Sequence, residues 1–268
     1  MSAYVISDSA TMLRRNLLHL RRYPSLTVLI IGMPVVFLLL FVYVFGGTLG
    51  SGLHTAAGLP AMTGGRAAYA NYVAPAIILL TAAAVAQGTA ISVASDMTEG
   101  IIARFRTMAI ARSCVFTGHV LGSLIQAVLG MAVVTGLAVA VGFRPTATPL
   151  EWLAAAGLLL LVSLAFTWLT VALGLAAKSV ETASNTPMFL LLLPFLGSGF
   201  VPTSSMPAGL RWFAEYQPFT PVNETLRGLL LGTGIGHQAW LALAWSVAIA
   251  VGGYLWAKDL YRRRPNRH

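Results

Sequence analysis

The sequence predicts an all-α membrane protein with six transmembrane helices. Two observations carry this prediction: 57% of the 268 residues are hydrophobic against 9% charged, and six long apolar stretches contain no Asp, Glu, Lys or Arg. A soluble domain usually has about 25% charged residues, whereas a transmembrane helix needs roughly 20 mainly apolar ones. The predicted spans are residues 25–46, 73–95, 120–142, 152–177, 186–201 and 239–257, of which the fifth is short and contains two prolines.

The six spans leave no room for a separate soluble domain. The longest stretches outside them are residues 1–24, 47–72 and 202–238, and each is shorter than the roughly 50 residues that a domain usually needs. Residues 1–268 are therefore predicted to form one transmembrane domain.

The basic residues predict the orientation of this domain. With six spans both termini lie on one side of the membrane, and 13 of the 17 Lys and Arg residues fall on that side. The positive-inside rule therefore places both termini in the cytoplasm. The net charge of +9 is explained by this orientation and by contact with anionic membrane lipid, and not by nucleic acid binding.

Residues 3–23, which precede the first span, have a helical apolar pattern. Their apolar side chains recur at steps of three and four, at Ile6, Ala10, Leu13, Leu17 and Leu20. This pattern is typical of an amphipathic helix in the membrane interface. Such a helix could act as a lever on the first span or anchor the chain at a fixed depth, and the pattern favours neither.

The most charged internal segment, residues 96–114, connects spans 2 and 3 on the cytoplasmic side. Asp96 is a candidate N-cap whose capping box Glu99 could complete, although Gly100 weakens such a helix. The segment also contains an apolar stripe and several arginines, namely Ile101, Phe105, Met108, Arg104, Arg106 and Arg112. This surface could dock on another protein, but the pattern alone favours a loop whose arginines obey the positive-inside rule.

Residues 202–235 on the outer side are too polar and too rich in proline to cross the membrane. Thr220 as N-cap, Pro221 at the first helical position and Gly232 after the last turn predict a helix of about 11 residues. Aromatic residues suited to the headgroup level lie nearby, at Trp212, Phe213, Tyr216 and Phe219. We expect two short interfacial or re-entrant helices that cap the outer mouth, although an ordinary aromatic belt would have the same composition.

The residues that enzymes and ion-coupled carriers depend on are missing from the pattern. There is no phosphate-binding loop or zinc-binding HExxH helix, the five histidines are scattered with no carboxylate in any span to pair with them, and Cys114 is the only cysteine. No catalytic or metal-binding residue is therefore predicted. The polar groups within the spans are neutral, among them Gln87, Thr89, Ser92, Gln126, Ser163 and Thr167; they fit helix packing better than a substrate path. An ion-coupled carrier or channel remains an alternative, because backbone carbonyls can also bind ions.

Three segments resemble the membrane subunits of ABC-2 type exporters, most closely the daunorubicin-resistance branch of drug and lipid exporters. They are RRNLLHLRRYPSLTVLIIGMPVVFLLLFVYVFGG at span 1, DMTEGIIARFRTMAIARSCVFTGHVLG before span 3, and FLGSGFVPTSSMPAGLRWFAEYQPFTPVNETLRGLLLG between spans 5 and 6. Together they cover over a third of the chain. Ala109 departs from the proline that is usual in this branch.

This resemblance implies an ABC-2, or type V, exporter fold in a bacterial plasma membrane. Two permease subunits, identical or related, would form the pore, and a separate subunit that binds ATP and Mg²⁺ would dock under each. The cargo would be a hydrophobic or amphipathic small molecule, although a polysaccharide or glycolipid exporter is a sister possibility. Residues 3–23 would be the connecting helix.

The resemblance also assigns roles to individual residues. Those expected to couple to the ATPase are Asp96, Glu99, Gly100, Ile101, Arg104, Phe105, Arg106 and Met108. Those expected to line the substrate path are Gln87, Thr89, Phe189 and Phe195. Those expected at the outer gate are Pro202, Trp212, Phe213, Tyr216 and Pro221.

Overall fold

The computed structural model describes residues 24–50, 65–99 and 112–263, and every regular element in them is helical. In chain order the helices are α1 (Pro24–Leu40), α2 (Arg66–Thr98), α3 (Arg112–Val141), α4 (Pro149–Ala176), α5 (Val180–Asn185), α6 (Met188–Leu192), α7 (Ala208–Tyr216), α8 (Phe219–Leu231) and α9 (Gln238–Arg263). A π-helical turn at Phe41–Phe45 continues α1. The predicted interfacial helix at residues 3–23 lies outside the described residues.

Five of these helices are long and apolar enough to cross a membrane: α1 with its continuation, α2, α3, α4 and α9. They coincide with five of the six predicted spans. The prediction of an all-helical, multi-pass membrane protein is thus confirmed for the described part of the chain.

Helix α2 forms the centre of the molecule. Every residue from Ala68 to Ala86 is buried. Within the apolar stretch by which each helix could cross a membrane, 78% is buried in α2, against 17% in α1 and in α9. Helices α1, α3, α4, α5 and α8 all pack on α2. A helix that is apolar on all sides belongs in the interior of a bundle, and the 33 residues of α2 give it a length of about 50 Å.

Glycine allows the closest approaches between helices. A Cβ atom on Gly174 of α4 would lie 2.7 Å from the carbonyl oxygen of Ala90 in α2, and one on Gly253 of α9 would lie 2.7 Å from the backbone nitrogen of Leu169 in α4. Small residues that let backbones approach are a common basis of helix association in membranes. Gly174 and Gly253 are therefore packing residues at these two crossings.

Helices α2, α3 and α4 begin three or more residues before their predicted spans, and protein contacts mark the starts of α4 and α2. Helix α4 begins at Pro149, where Thr148 and Glu151 form a reciprocal capping box. Helix α2 begins at Arg66, seven residues before the predicted start, and its buried Asn71 accepts a hydrogen bond from the Arg144 backbone nitrogen at 2.7 Å.

The predicted fifth span, residues 186–201, is not one continuous helix. It consists of α6, a 3₁₀ turn at Leu193–Leu196 and a turn at residues 197–200, and α5 precedes it. Pro187 and Pro194 account for the breaks, since proline lacks the backbone N–H and clashes with the carbonyl four residues earlier.

Together with α5, this broken segment runs beside α2 in the opposite direction. At one end Gln87 Nε2 donates to the Ser184 carbonyl at 2.9 Å, and at the other Tyr69 Oη donates to the Phe200 carbonyl at 3.2 Å. The 18 residues of α2 between these contacts correspond to about 27 Å. That distance is close to the roughly 30 Å thickness of a bilayer core.

The outer segment contains the two short helices that were predicted, α7 and α8. Gly232 ends α8 in the left-handed conformation with φ of 70°, as expected for a residue after the last turn. The predicted N-cap is wrong: α8 begins at Phe219, and the Gln217 side chain accepts a hydrogen bond from its backbone nitrogen. Thr220 lies inside the helix, where its hydroxyl accepts from the Ser198 backbone nitrogen at 3.2 Å.

Candidate functional site

Polar contacts concentrate at the two ends of α2. We call the group at its N-terminal end the outer cluster, after the side of the membrane that the sequence predicts for it; this cluster comprises Tyr69, Tyr72, Ser198, Asn223 and Arg227. We call the contact at the other end the inner pair, which comprises Asp96 and His119.

The carbonyl oxygen of Ser198 is the centre of the outer cluster. It accepts hydrogen bonds from Tyr72 Oη at 2.9 Å, Arg227 Nη2 at 3.0 Å and Asn223 Nδ2 at 3.2 Å. The three donors come from α2 and α8, while Ser198 belongs to the turn at the end of the broken segment. The outer cluster therefore joins three parts of the chain at one atom.

Arg227 contributes a buried positive charge to this cluster, since only 4% of its surface is exposed. Its guanidinium lies 3.8 Å above the Tyr72 ring, Nη2 also donates to the Tyr72 carbonyl at 3.1 Å, and Nη1 pairs with Glu224 at 2.6 Å. A buried charge is tolerated only when such partners replace water. The cluster therefore depends on Arg227 more than on any neutral donor in it.

Two glycines let the Ser198 turn enter between α2 and α8. A Cβ atom on Gly197 would overlap the Gln217 amide, and one on Gly199 would lie 2.8 Å from the Pro194 carbonyl and 3.2 Å from Ala76 Cβ. The turn is therefore confined on both sides by backbone and buried side chains. Its position is set by close contact as well as by hydrogen bonds.

The inner pair links the last turn of α2 to the first part of α3. His119 Nε2 lies 3.0 Å from Asp96 Oδ2, and both side chains are buried. A carboxylate at the C-terminal end of a helix is disfavoured by the helix dipole and by burial. Asp96 is placed against both of these preferences. Such exceptions are expected at positions that serve a function other than helix formation.

Two expectations about these residues were wrong. The histidines were expected to lack a carboxylate partner, but α2 extends to Thr98 and carries Asp96 into the bundle. Asp96 is therefore inside α2 and not at the start of a helix, and Glu99 is the exposed residue that ends α2. The other residues assigned to ATPase coupling lie outside the described part of the chain: Gly100, Ile101, Arg104, Phe105, Arg106 and Met108.

The candidate substrate-path residues have different surroundings. Gln87 faces α5 through Ser184, whereas Thr89 is buried against α3, where its hydroxyl donates to Ser123 Oγ at 2.8 Å. Ser123 in turn contacts Thr167 Oγ1 of α4 at 3.2 Å. Thr89 is thus part of a hydroxyl chain that holds three helices together.

The two aromatic candidates lie at the surface. Phe189 is 44% exposed and Phe195 is 37% exposed. The Phe195 ring stacks on Phe200 at 4.4 Å and meets Phe37 of α1 edge-on at 5.7 Å. Phe195 is therefore part of a half-open aromatic surface between α1 and the broken segment, whereas Phe189 is an exposed side chain of α6.

The candidate gate residues divide into an exposed and a buried group. Trp212, Phe213 and Tyr216 are exposed on α7, as the aromatic belt predicts, whereas Pro221 is buried in α8 and Pro202 is half-buried. The belt interpretation was wrong for Phe219, which is buried and stacks on Phe166 of α4 at 5.1 Å.

Sequence reasoning did not single out Tyr72, Ser198 or Arg227. Their contacts join residues 126 and 155 positions apart, and the acceptors are backbone carbonyls. Arg227 gave one signal that could have been used, since it follows Glu224 by three residues within the predicted helix, a spacing at which the two side chains can form an ion pair.

A model of the ABC-2 type transporter family matches residues 9–231. The chain belongs to this family. It is also 26% identical, over 99% of its length and 89% of the other protein, to the daunorubicin resistance ABC transporter permease protein DrrB1 of Streptomyces coeruleorubidus. The family inferred from the three sequence segments is therefore confirmed, and this ABC-2 protein is a multi-pass membrane protein.

Proposed function

We propose that this ABC-2 protein is the membrane subunit of an ATP-driven exporter for a hydrophobic or amphipathic small molecule. The observation that carries the proposal is the family match over residues 9–231, supported by a relative whose name assigns it to daunorubicin resistance. A separate subunit would hydrolyse ATP, and a second permease subunit would complete the pore.

The broken segment would be the fifth of six crossings. Its course of about 27 Å beside α2 supports this proposal, because irregular backbone at membrane depth is tolerated where protein covers it. Six crossings place both termini on one side, and the basic residues make that side the cytoplasm of a bacterial cell.

Helix α2 would transmit motion between the ATPase and the outer face. It carries Asp96 and Glu99 at its inner end and Tyr69 and Tyr72 at its outer end, and its burial leaves it little freedom to bend independently. ATP binding would move residues 96–114, and α2 would carry that motion to the outer cluster as a population shift.

Opening of the outer face would either break the hydrogen bonds between the Ser198 turn and α8 or move the turn and α8 together as one unit. The helices α7 and α8 would then be the re-entrant elements that roof the cavity. The half-exposed Phe195 would offer cargo an apolar surface between α1 and the broken segment, and the exposed Phe189 would add a second apolar side chain on α6. Both would suit hydrophobic cargo.

The first test is the composition of the complex. We expect gentle solubilisation of the tagged protein and mass measurement of the intact complex to show one ATPase chain per permease chain, with two permease chains present. A stable complex without a nucleotide-binding chain, together with transport in liposomes that lack nucleotide, would contradict the proposal and favour a carrier or channel.

The second test addresses coupling. We expect Glu99→Ala combined with Phe105→Ala to leave membrane insertion intact and to abolish export, because residues 96–114 would lose contacts with the ATPase. Membrane insertion is checked by the yield of folded protein and export by cargo efflux from cells. Unchanged export in the double variant would refute the assignment of this segment.

A further inference from the structure

Helix α9 has a groove on the face that points away from the bundle. The groove has a volume of about 730 Å³, and its lining is Trp240, Leu243, Ala244, Val247, Ala248, Val251 and Gly252. Small residues at steps of four form its floor, while Trp240 and Val251 at its sides are 76% and 51% exposed. The opposite face of α9 packs on α4, where Gly253 makes its close approach.

Two cations continue the same face toward the end of α9. At 100° per residue, Lys258 and Arg262 lie within about 40° of the direction of Val251, in the middle of the groove face. Both side chains are exposed. Asp259 is also on this side but is half-buried and has a partner of its own, so the accessible charge at this end of the groove is positive.

The spacing along α9 fits the hydrocarbon core of a bilayer and locates the cytoplasmic leaflet on the groove. Trp240 and Lys258 are 18 residues apart, or about 27 Å, so together they bracket a hydrocarbon core of about 30 Å. If Lys258 lies at the headgroup level, the midplane of the bilayer is about 15 Å away along the helix. That distance corresponds to about ten residues and places the midplane near Ala248. An acyl chain in this leaflet would therefore lie on Ala248, Val251 and Gly252.

We propose that this face of α9 is a binding site for an anionic phospholipid of the cytoplasmic leaflet. One acyl chain occupies the inner half of the groove, and the phosphate contacts Lys258 and Arg262. The assignment to the cytoplasmic leaflet rests on the orientation given under the proposed function. Anionic lipid is selected because each nearby Lys or Arg favours it electrostatically, whereas zwitterionic lipid supplies no net charge.

A second copy of the chain is a poorer occupant of the same groove. The stripe of small residues would also suit a facing helix. In a symmetric contact between two parallel α9 helices, however, Lys258 and Arg262 would each lie opposite their own copies, and like charges brought together in this way are destabilising. A phosphate group satisfies both cations without that repulsion.

The test compares lipid retention by the purified complex. The intact assembly is weighed after exchange into mixtures of dioleoyl phosphatidylglycerol and dioleoyl phosphatidylcholine. We expect the wild type to retain phosphatidylglycerol preferentially. Lys258→Gln with Arg262→Gln should lower that preference by about fivefold per cation, and Gly252→Leu should reduce retention of both lipids, because its side chain enters open space in the groove.

Matched variants control for charge and for side-chain size. Lys178→Gln removes an exposed cation from the same side of the membrane, and Gly157→Leu adds the same side chain at an open, exposed position of α4. Neither should change lipid retention. A preference that persists in the Lys258 and Arg262 double variant would overturn the site, as would cross-linking of Gly252→Cys to a second copy.

The same mass spectra separate this inference from the proposed function. Presence of the ATPase chain with no effect of the groove variants would refute the lipid site and leave the exporter intact. Absence of the ATPase chain would count against the exporter even if the lipid preference followed the groove.

Discussion

The two ends of α2 are attached to the rest of the molecule by different chemistry. At the outer end, donors from Tyr72, Asn223 and Arg227 converge on the backbone carbonyl of Ser198. At the inner end, two side chains, Asp96 and His119, meet each other. The outer acceptor is part of the backbone and is held by three donors, whereas both partners of the inner pair are side chains that can rotate. Under the proposed function, motion would enter α2 at its less constrained inner end and reach the outer face through the more constrained one.

Loss of Arg227 should have the largest effect. We expect Arg227→Ala to lower the free energy of unfolding by about 3–5 kcal/mol, because it removes two charge-assisted hydrogen bonds to buried backbone carbonyls and the contact with the Tyr72 ring. The matched control is Arg211→Ala, which breaks an exposed pair with Glu215 on α7 and should cost about 0–0.5 kcal/mol. Thermal unfolding of both purified variants measures the difference between their free energies of unfolding. Equal losses of stability would show that Arg227 contributes no more than an exposed arginine.

Loss of the inner pair should have an intermediate effect on stability and a larger one on coupling. We expect His119→Ala to cost about 1–3 kcal/mol, since it takes a partner from the buried Asp96 carboxyl group, and to reduce export while ATP hydrolysis persists. His119→Gln, which retains a side-chain donor, should restore part of the coupling. If export and hydrolysis fell in proportion in both variants, the inner pair would have only a structural role.

The smallest effect should come from single hydroxyl groups of the outer cluster. Tyr72→Phe removes the hydrogen bond to Ser198 but keeps the ring under Arg227, so we expect a loss of about 1 kcal/mol. Tyr69→Phe, whose bond to the Phe200 carbonyl is longer at 3.2 Å, should cost no more than that. Chemical denaturation of the two variants beside the wild type measures these losses, and a loss above that of Arg227→Ala would reverse the proposed order.

Hydropathy predicted the membrane-spanning helices better than the contacts that join them. Five spans follow from apolar length alone, since the bilayer requires about 20 apolar residues wherever they occur. The break in the fifth span has a local cause in Pro187 and Pro194, which a sequence displays. The α8 cap was misplaced because Thr220 is used by the Ser198 turn, which is distant in sequence.

The candidate site was predictable only where its chemistry is local. Residues 96–114 stand out by charge, and the exposed Trp212 and Tyr216 stand out by type. The inner pair escaped notice because Asp96 lies one residue past the predicted span, and the outer cluster because a carbonyl acceptor such as that of Ser198 is present in every residue. Tertiary contacts, and not residue type, distinguish these positions.

In the proposed mechanism, ATP binding moves α2 and thereby opens the outer cluster. The solvent accessibility of residue 198 tests this most directly. In a background with Cys114→Ser, Ser198→Cys keeps the backbone acceptor and places a thiol at a position that is 3% exposed, while Val201→Cys at an exposed position controls for reagent access. In the complex with its ATPase, we predict that ATP makes Cys at position 198 reactive to a small thiol reagent and that His119→Ala abolishes this dependence. Labelling that is independent of ATP, or equally dependent in His119→Ala, would contradict the account.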